Sequence, residues 1–286
     1  MHNIRDYEPL FDGWKIEGFL GQGSYGEVYK ISKEDNMGIT YHSAVKRISI
    51  SDMGLKRNPK LLDMFETGIE SMMKMRECPY IVRIEEFTTK DWDYGGGRDI
   101  LIRMELLTSL ESIIDYGEKA MPIEEIRKLG IHICRILEIC EEKNIIHRDI
   151  KPGNIFCSEM GNYKLGDFGV ARIMDDAMSS SAPRNWDFTA PEIFLNGYER
   201  YDKRADICSL GITLYYLLNR NKIPFQMDKY DRTTLVKRVM NGEKLPMPTG
   251  EGIPQEFTEA VLKACEHNPN DRFENATLMR EALEGR

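Results

Sequence analysis

The sequence predicts an α+β fold in two lobes, an antiparallel β-sheet lobe with one helix at residues 1–106 and a mainly helical lobe at residues 107–286. Two observations support this prediction. Up to Leu107, short runs alternate apolar and polar side chains, as in antiparallel strands with one exposed face. Beyond Leu107, apolar residues recur at the spacing of an amphipathic helix. A length of 286 residues suits two lobes that share a cleft.

The first lobe is predicted to contain several strands and one long helix. Strand-like runs lie at residues 14–31, 43–50, 81–88 and 100–107. A helix is predicted to begin at Asn58-Pro59, a cap residue followed by proline, and to reach about Arg76 before Cys78-Pro79 ends it. The glycine-rich segment 91–97 is predicted to join the last two strands as a hairpin loop.

The second lobe is predicted to be a set of helices. Pro122 opens a long amphipathic helix, with Glu124 and Glu125 in its first turn and Lys143 in its last, as the helix dipole favours. Asn144 fits a left-handed cap after this helix. Further helical patterns lie near residues 190–196, 205–219, 231–241, 256–266 and 275–284.

The composition narrows the class of protein. Hydrophobic residues make up 41% and charged residues 30% of the chain, which is typical of a globular protein. The net charge of −8 disfavours a nucleic-acid partner, because such proteins usually present a basic face.

The targeting and cysteine patterns suggest the cytoplasm. The N-terminus has no signal-peptide pattern, and the apolar run 205–218 contains Asp206 and Ser209 and is too short for a membrane segment. The six cysteines form no C-x-x-C pair, so we expect neither a zinc site nor a disulfide framework, but reduced thiols.

A short stretch of the second lobe concentrates polar side chains between apolar runs. It contains two acids, a lysine and an amide, namely Asp149, Asp167, Lys151 and Asn154. Carboxylate and amide oxygens are ligands that Mg²⁺ prefers. The stretch is therefore suited to holding a metal-bound triphosphate and directing a hydroxyl at its end.

A glycine motif in the first lobe suggests where phosphates would bind. The motif is Gly21-x-Gly23-x-x-Gly26, and the residues after it alternate like a strand. A dinucleotide-binding fold would place a helix there, so the pattern favours a strand–turn–strand flap over phosphates. An ordinary glycine hairpin is the alternative for the motif alone. Lys46, on an inward strand position, would need an anionic partner because burial of a lone charge is costly.

In combination these motifs resemble the eukaryotic-like serine/threonine protein kinases over about residues 14–284. The sequence looks more like the bacterial members of this family than like the animal ones. The resemblance implies ATP and Mg²⁺ as cofactors and protein substrates with serine or threonine hydroxyls. It also implies transfer of the γ-phosphoryl group, with autophosphorylation. A pseudokinase that binds ATP without turnover is the alternative, and a small-molecule phosphotransferase is a weaker one.

The resemblance assigns roles in the second lobe. Asp149 would accept the proton of the substrate hydroxyl, and Lys151 would neutralise the γ-phosphate. A lysine two residues after the aspartate accompanies Ser/Thr specificity in this family. Asn154 and Asp167 would hold Mg²⁺, whereas His147 is expected to be a core residue rather than a base.

In the first lobe, the resemblance assigns Lys46 to the α- and β-phosphates and gives it a glutamate partner. Glu70 fits this partner best by spacing from Ile81, and Glu66 is the alternative. Arg47 would point to the opposite face of the strand, which we expect to be solvated.

The adenine site is expected at the junction of the lobes. Backbone groups of Glu105 and Leu107 would meet the adenine edge. The side chains expected to form the apolar slot are Val28, Ala44, Met104 and Phe156.

The segment that precedes Ala190-Pro191-Glu192 departs from the family pattern. Arg184-Asn185 occupies the place where Ser/Thr kinases usually have Gly-Thr, a departure that bears on substrate docking and turnover but not on nucleotide binding. Ser179, Ser180 and Ser181 lie in this segment, and we hypothesise that phosphorylation of one of them orders it through Arg148. Downstream, the resemblance pairs Glu192 with Arg272 and makes Asp206 the anchor of the catalytic loop.

Overall fold

The computed structural model describes most of the chain, and its contacts divide that part into two compact units. The described residues are 3–23, 26–57, 59–75, 77–93, 95–116, 120–168, 186–196, 202–226 and 241–286. The first unit runs to Leu107 and also contains Phe168, and the second contains Thr108–Asp167 and the described residues from Trp186 onward.

A five-stranded antiparallel sheet forms the first unit. Its strand order is β1-β2-β3-β5-β4. The strands are β1 (Lys15–Gly23), β2 (Gly26–Glu34), β3 (Thr40–Ser51), β4 (Ile84–Asp91) and β5 (Gly97–Met104). The predicted strand regions are confirmed, but β4 and β5 reach further into the glycine-rich loop than predicted. Trp92 donates from its backbone N–H to the Gly97 carbonyl at 3.1 Å, so the connection is a tight turn.

Two helices follow β3 in this unit. Helix α1 (Asp52–Arg57) was not predicted, and α2 (Leu61–Met73) corresponds to the predicted long helix. Pro59 lies in a turn before α2, and Asn58 lies outside the described residues. The apolar positions of α2 are buried at helical spacing, as predicted, at Leu61, Phe65, Ile69 and Met72.

One face of the sheet is covered by the segment of residues 3–14, which we call the N-terminal segment. It begins with a short 3-10 helix, Ile4–Tyr7, and closes with a β-bridge between Leu10 and Trp14. The apolar cluster that it forms with the sheet consists of Ile4, Leu10, Trp14, Ile16, Ile31, Val45 and Leu101. Arg47 lies on this face and is only 6% exposed, so the expectation that its face is solvated is wrong. The reason is the cover that the segment provides.

The second unit is mainly helical, with a small sheet. Its strands are β6 (Thr108–Ser109), β7 (Ile155–Cys157) and β8 (Tyr163–Leu165). Its described helices are α3 (Leu110–Tyr116), α4 (Ile123–Glu142), α5 (Pro191–Asn196), α6 (Arg204–Leu218), α7 (Gln255–Ala264) and α8 (Ala276–Glu284). The predicted helix near 231–241 falls almost entirely outside the described residues. The predicted α+β architecture, with the antiparallel sheet first and the helices second, is confirmed.

Helices α4 and α6 form much of the core of the second unit. Helix α4 follows Pro122, and Asn144 after it has a φ of 53°, which confirms the predicted left-handed cap. Helix α6 is buried on nearly all sides, as the apolar run 205–218 indicated. None of the described helices is both long and apolar enough to cross a bilayer.

A buried ion pair connects helix α5 to Arg272, which lies between α7 and α8. Both guanidinium NH groups of Arg272 donate to the Glu192 carboxylate at 2.7 Å, and the Arg272 side chain is 0% exposed. Arg272 also donates to the carbonyl oxygens of Arg204, Glu266 and His267 at 3.0, 2.7 and 3.1 Å. The predicted pairing of Glu192 with Arg272 is therefore present, and one side chain joins α5, α6 and the loop after α7.

Replacing Arg272 by methionine should destabilise the protein strongly. The change strands the largely buried Glu192 carboxylate, and the loss of one partner of a buried pair costs about 3–5 kcal/mol of unfolding free energy. Arg220→Met is the matched control, because Arg220 and Glu251 form a pair at 2.8 Å with side chains 58% and 90% exposed. The control should lose less than about 1 kcal/mol. Urea unfolding monitored by circular dichroism measures both, and equal losses would contradict the assigned role of Arg272.

A histidine on α4 is held in its neutral form. The backbone N–H of Tyr163 donates to His132 Nδ1 at 3.1 Å, which requires that nitrogen to be unprotonated. Burial, together with the charges of Lys128 and Arg135 and against the opposing charge of Glu125, lowers the pKa of His132 from 6.5 to about 4. Because the folded state binds this proton less readily than the unfolded chain, the neutral histidine supports the fold above pH 6.5.

The stability that His132 confers should disappear as the pH falls from 6.5 towards 4. His132→Asn removes the titration while its Oδ1 can still accept the Tyr163 N–H. We expect the unfolding free energy of wild type to fall faster than that of the variant across this range. Urea titrations of both proteins from about pH 7.5 to about pH 4.5 provide the comparison. Parallel pH curves for the two proteins would refute the assignment.

Candidate active site

In the first unit, the strand register places four of the predicted site residues on one face of the sheet. Val28 lies opposite Lys46 on β2 and β3, and Ala44 lies opposite Met104 on β3 and β5. Directly opposed residues of an antiparallel pair project to the same face, and so do alternate residues of one strand. Lys46 is 3% exposed on this face.

The glycine motif lies where β1 turns into β2. Gly23 pairs with Gly26 across the turn, and Ser24 and Tyr25 lie outside the described residues. A strand therefore follows the motif, as predicted, rather than the helix of a dinucleotide-binding fold. A Cβ atom at Gly26 would lie 2.0 Å from the Arg47 carbonyl oxygen, so only glycine fits there.

The chain leaves the sheet through a fixed connection after Met104, where β5 ends. The Glu105 backbone N–H donates to the Arg83 carbonyl at 3.1 Å, and the Arg83 N–H donates to Glu105 Oε1 at 2.7 Å. These reciprocal bonds hold Glu105 against the start of β4. Leu107 follows as a half-buried residue at the end of the first unit.

The two candidate glutamates differ in exposure. Glu66 is half-buried on α2 and Glu70 is exposed. Glu70 lines a surface depression with Met73, Lys74 and Glu77, and within the described residues it makes no ion pair. The pairing of Lys46 with Glu70 stays a prediction, with Glu66 as its alternative.

In the second unit, two of the predicted residues contact the carboxylate of a third, Asp149. Lys151 Nζ and Asn154 Nδ2 both lie 2.8 Å from Asp149 Oδ2. Asn154 Nδ2 also donates to the Asp149 carbonyl oxygen at 2.7 Å. The 3-10 helix Pro152–Asn154 brings Asn154 back to Asp149, so a stretch of six residues forms a closed cluster.

A buried aspartate on α6 supports this cluster from behind. Asp206 is 3% exposed and accepts the backbone N–H groups of His147 at 2.6 Å and of Arg148 at 2.8 Å. Arg148 adopts a φ of 71°, a conformation that costs energy in a non-glycine residue. Burial raises the pKa of Asp206 above its usual value, and the two N–H donors and the charge of Arg148 offset this only in part. The predicted role of Asp206 as anchor of the catalytic loop agrees with this geometry.

His147 connects the cluster to the strand that precedes Asp167. Its Nδ1 accepts the Asp149 N–H at 3.3 Å, so its Nε2 carries the proton and donates to the Gly166 carbonyl at 2.8 Å. His147 is 0% exposed, as expected for a core histidine. The Gly166 N–H in turn donates to the Asn154 carbonyl at 2.9 Å. Backbone bonds on both sides of Gly166 therefore hold Asp167, the next residue, close to Asn154.

Sequence reasoning missed the role of Gly166. The only signal was its position directly before Asp167, since neither its spacing nor its chemistry marks it. Asp167 itself has a φ of 62°, and Phe168 after it is 2% exposed. Phe156 lies half-buried on β7 of the second unit. Residues 169–185, which include Gly169, the three serines and Arg184-Asn185, lie outside the described residues.

The sequence was compared with known protein families and curated proteins. It matches the protein kinase domain over residues 14–283. It is 30% identical to the dual specificity mitogen-activated protein kinase kinase hemipterous of Drosophila melanogaster, over 98% of this chain and 23% of that protein. It is 29% identical to a probable serine/threonine-protein kinase of Clostridium perfringens, over 89% of this chain and 37% of that protein.

A further relative, protein-tyrosine kinase 6 of Mus musculus, is 28% identical over 92% of this chain and 56% of its own length. The chain thus spans less than two thirds of the length of these relatives. The family match covers nearly the whole chain and agrees with the antiparallel sheet, the helical unit and the catalytic cluster. The chain belongs to the protein kinase family and has the protein kinase fold.

Proposed function

We propose that this chain is a serine/threonine protein kinase that transfers the γ-phosphoryl group of ATP to hydroxyls of protein substrates, with Mg²⁺. The observation that carries the proposal is the cluster around Asp149. Lys151 and Asn154 both occupy Oδ2 of that carboxylate at 2.8 Å. Within the described residues its Oδ1 accepts no side-chain hydrogen bond, and Oδ1 is therefore the atom we assign to the acceptor hydroxyl.

The proposed chemistry uses position and charge. Asp149 orients the hydroxyl and accepts its proton as the oxygen attacks. Lys151, bonded to the same carboxylate, supplies a positive charge where negative charge develops on the phosphoryl oxygens. Asn154 fixes the Asp149 backbone and side chain together, so the base keeps one orientation throughout.

The residues present fit a magnesium-bound nucleotide. The side-chain hydrogen bonds of Asn154 are made through Nδ2, so Oδ1 is the side-chain atom we assign to the metal. Asp167, which the Gly166 bonds hold near Asn154, supplies the second protein ligand in the proposal. When bound, Mg·ATP supplies the transferable phosphoryl group and the charge that neutralises its oxygens.

Nucleotide contacts are also proposed for the first unit. The glycine turn at Gly21, Gly23 and Gly26 offers backbone N–H groups to the phosphates, and Lys46 pairs with the α- and β-phosphates. The Glu105 N–H is already used by Arg83, so the proposal gives the adenine amino group to the Glu105 carbonyl. The Leu107 backbone, and the apolar side chains at Val28, Ala44, Met104 and Phe156, complete the proposed adenine site.

Specificity for serine and threonine is supported by Lys151, the residue type that accompanies it in this family. The relative from Clostridium perfringens carries serine/threonine in its name, whereas the others are named as dual-specificity or tyrosine kinases. Autophosphorylation on Ser179, Ser180 or Ser181 remains part of the proposal. We also propose that the protein works in the cytoplasm, which its six free cysteines support.

Asp149→Asn should abolish phosphoryl transfer and spare nucleotide binding. The amide cannot accept the hydroxyl proton, and loss of a general base costs about a hundredfold to ten-thousandfold in rate. The dissociation constant for Mg·ATP should change by less than about threefold, because Asp149 is not a proposed ligand of the nucleotide. Radiolabelled phosphate transfer and calorimetric titration measure the two quantities.

The control for this variant is Asp202→Asn, an acid that is 40% exposed and paired with Arg204 away from the cluster. It should keep full activity. Activity retained by Asp149→Asn would contradict the proposed base. A wild-type protein that binds Mg·ATP but transfers no phosphate would instead support the pseudokinase alternative.

Peptide libraries should show phosphate on serine and threonine. Pairs of peptides that differ only in serine, threonine or tyrosine at the acceptor position test this directly. We expect kcat/KM to favour the serine or threonine peptide over its tyrosine match by at least about tenfold, because Lys151 is the residue type that accompanies serine/threonine specificity in this family. Equal rates for tyrosine would identify a dual-specificity enzyme, against the proposal.

A further inference from the structure

A buried carboxylate lies on the covered face of the sheet, opposite the face that carries Lys46. Asp99 on β5 is 0% exposed, and four side-chain donors surround it. Its Oδ2 accepts from Arg47 Nε at 2.8 Å and from Tyr7 Oη at 3.0 Å. Its Oδ1 accepts from Ser49 Oγ at 2.6 Å and from Trp92 Nε1 at 3.0 Å. The charge of Asp99 is thus fully matched by partners from β3, the β4–β5 turn and the N-terminal segment.

The network continues from Arg47 to the glycine turn. Arg47 directly follows Lys46 in β3, and its NH1 lies 3.5 Å from Glu27 Oε2 on β2. Tyr29 Oη holds the same Glu27 oxygen at 3.0 Å. Glu27 is the residue after Gly26, whose Cα packs on the Arg47 carbonyl. One arginine therefore contacts Gly26 through its backbone and the next residue, Glu27, through its side chain.

The hydrogen bond from Tyr7 of the N-terminal segment to Asp99 persists at neutral pH. Burial and the Asp99 carboxylate raise the pKa of Tyr7 to about 12, so the phenol stays a donor at neutral pH. Ile4, Leu10 and Trp14 from the same segment pack into the apolar cluster beside it. The segment is consequently fixed by the hydrogen bond of Tyr7 to Asp99 and by a block of buried apolar surface, together with bonds from the Ile16 N–H to Glu8 and from Lys33 to the Asp12 carbonyl.

A role in fold stability alone explains this network poorly. Replacing a buried ion pair by packed apolar residues is often neutral or stabilising, so such pairs are better suited to fixing one arrangement than to adding stability. What this pair fixes is the orientation of Arg47 relative to β2. Without it, Arg47 could release Glu27, and the residue that directly follows the glycine turn would lose its side-chain contact with β3.

We propose that Tyr7, Asp99, Arg47 and Glu27 form a positioning relay, through which the N-terminal segment holds the glycine turn in the position that receives nucleotide phosphates. The inference rests on the proposed function, because it assigns phosphate contacts to that turn. The four residues are positioning residues and do not touch the nucleotide. A turn that samples other positions binds with an affinity reduced by the fraction of time it is competent.

Tyr7→Phe tests the relay with the loss of a single hydroxyl. We expect the KM for ATP to rise about three- to tenfold while kcat stays within about twofold, since only the turn is affected. The matched control is Tyr41→Phe. Tyr41 Oη also donates to a carboxylate, that of Asp35 at 3.1 Å, but both residues lie where β2 connects to β3 and are not part of the relay. The control should leave both constants unchanged.

Glu27→Gln provides a second variant at the other end of the relay, and it should reproduce the KM increase. Hydrogen exchange on the peptide of residues 18–30, measured without nucleotide, gives a readout that does not depend on activity. Exchange there should be faster in Tyr7→Phe and Glu27→Gln than in Tyr41→Phe.

The outcomes separate the relay from the proposed function. A lower melting temperature in Tyr7→Phe, with KM and exchange unchanged, would overturn the relay and leave a merely structural contact. If wild type binds no ATP, the proposed function fails, whereas faster exchange confined to the two relay variants would still support the mechanical link. Identical exchange in all three variants would end the inference whatever the kinetics show.

Discussion

The geometry of the cluster around Asp149 depends on the buried carboxylate of Asp206. It binds two consecutive backbone N–H groups, those of His147 and Arg148, at the point where the chain turns through a positive φ. That turn could not be maintained by local preferences, because a left-handed arginine is disfavoured in isolation. Helix α6 compensates for this energetic cost by supplying Asp206. Because the helix is itself buried, the position of Asp206 is fixed. The catalytic segment is thus held by a helix that lies about sixty residues further along the sequence.

In the first unit, the two faces of the sheet carry different charged side chains. One face carries Val28, Ala44 and Lys46, and the other carries Arg47 and Asp99. The consecutive cations Lys46 and Arg47 of β3 are tolerated because successive side chains of a strand point to opposite faces, where each meets different partners. Since a strand cannot shift by one residue without exchanging these faces, the buried Arg47–Asp99 pair also fixes the register that presents Lys46.

Motifs with short sequence spacing were predictable from the residues themselves. The long-range contacts that were anticipated, Glu192 with Arg272 and Asp206 with the backbone of residues 147–148, came from the family resemblance. Asp149, Lys151 and Asn154 lie within one turn of chain, so their convergence follows from local geometry and could be anticipated. Asp99 offered no such signal, because three of its four partners, Tyr7, Arg47 and Ser49, lie 92, 52 and 50 residues away. The expectation of a solvated Arg47 failed for this reason. Strand alternation predicts which side a residue faces but not what covers that side.

The relatives named as serine/threonine, dual-specificity and tyrosine kinases resemble this one chain to nearly the same degree, at 28–30% identity. Overall similarity therefore does not discriminate between acceptor hydroxyls, and the choice must depend on few residues. In the function we propose, Asp149 and its hydrogen-bond donor Asn154 would serve any alcohol equally, since they act on the oxygen alone. The acceptor oxygens of a short serine and a long tyrosine differ in their distance from the substrate backbone. Lys151, whose Nζ lies 2.8 Å from the Asp149 carboxylate, is the residue type that accompanies serine/threonine specificity in this family, and we therefore propose that specificity depends on the residues beside that carboxylate.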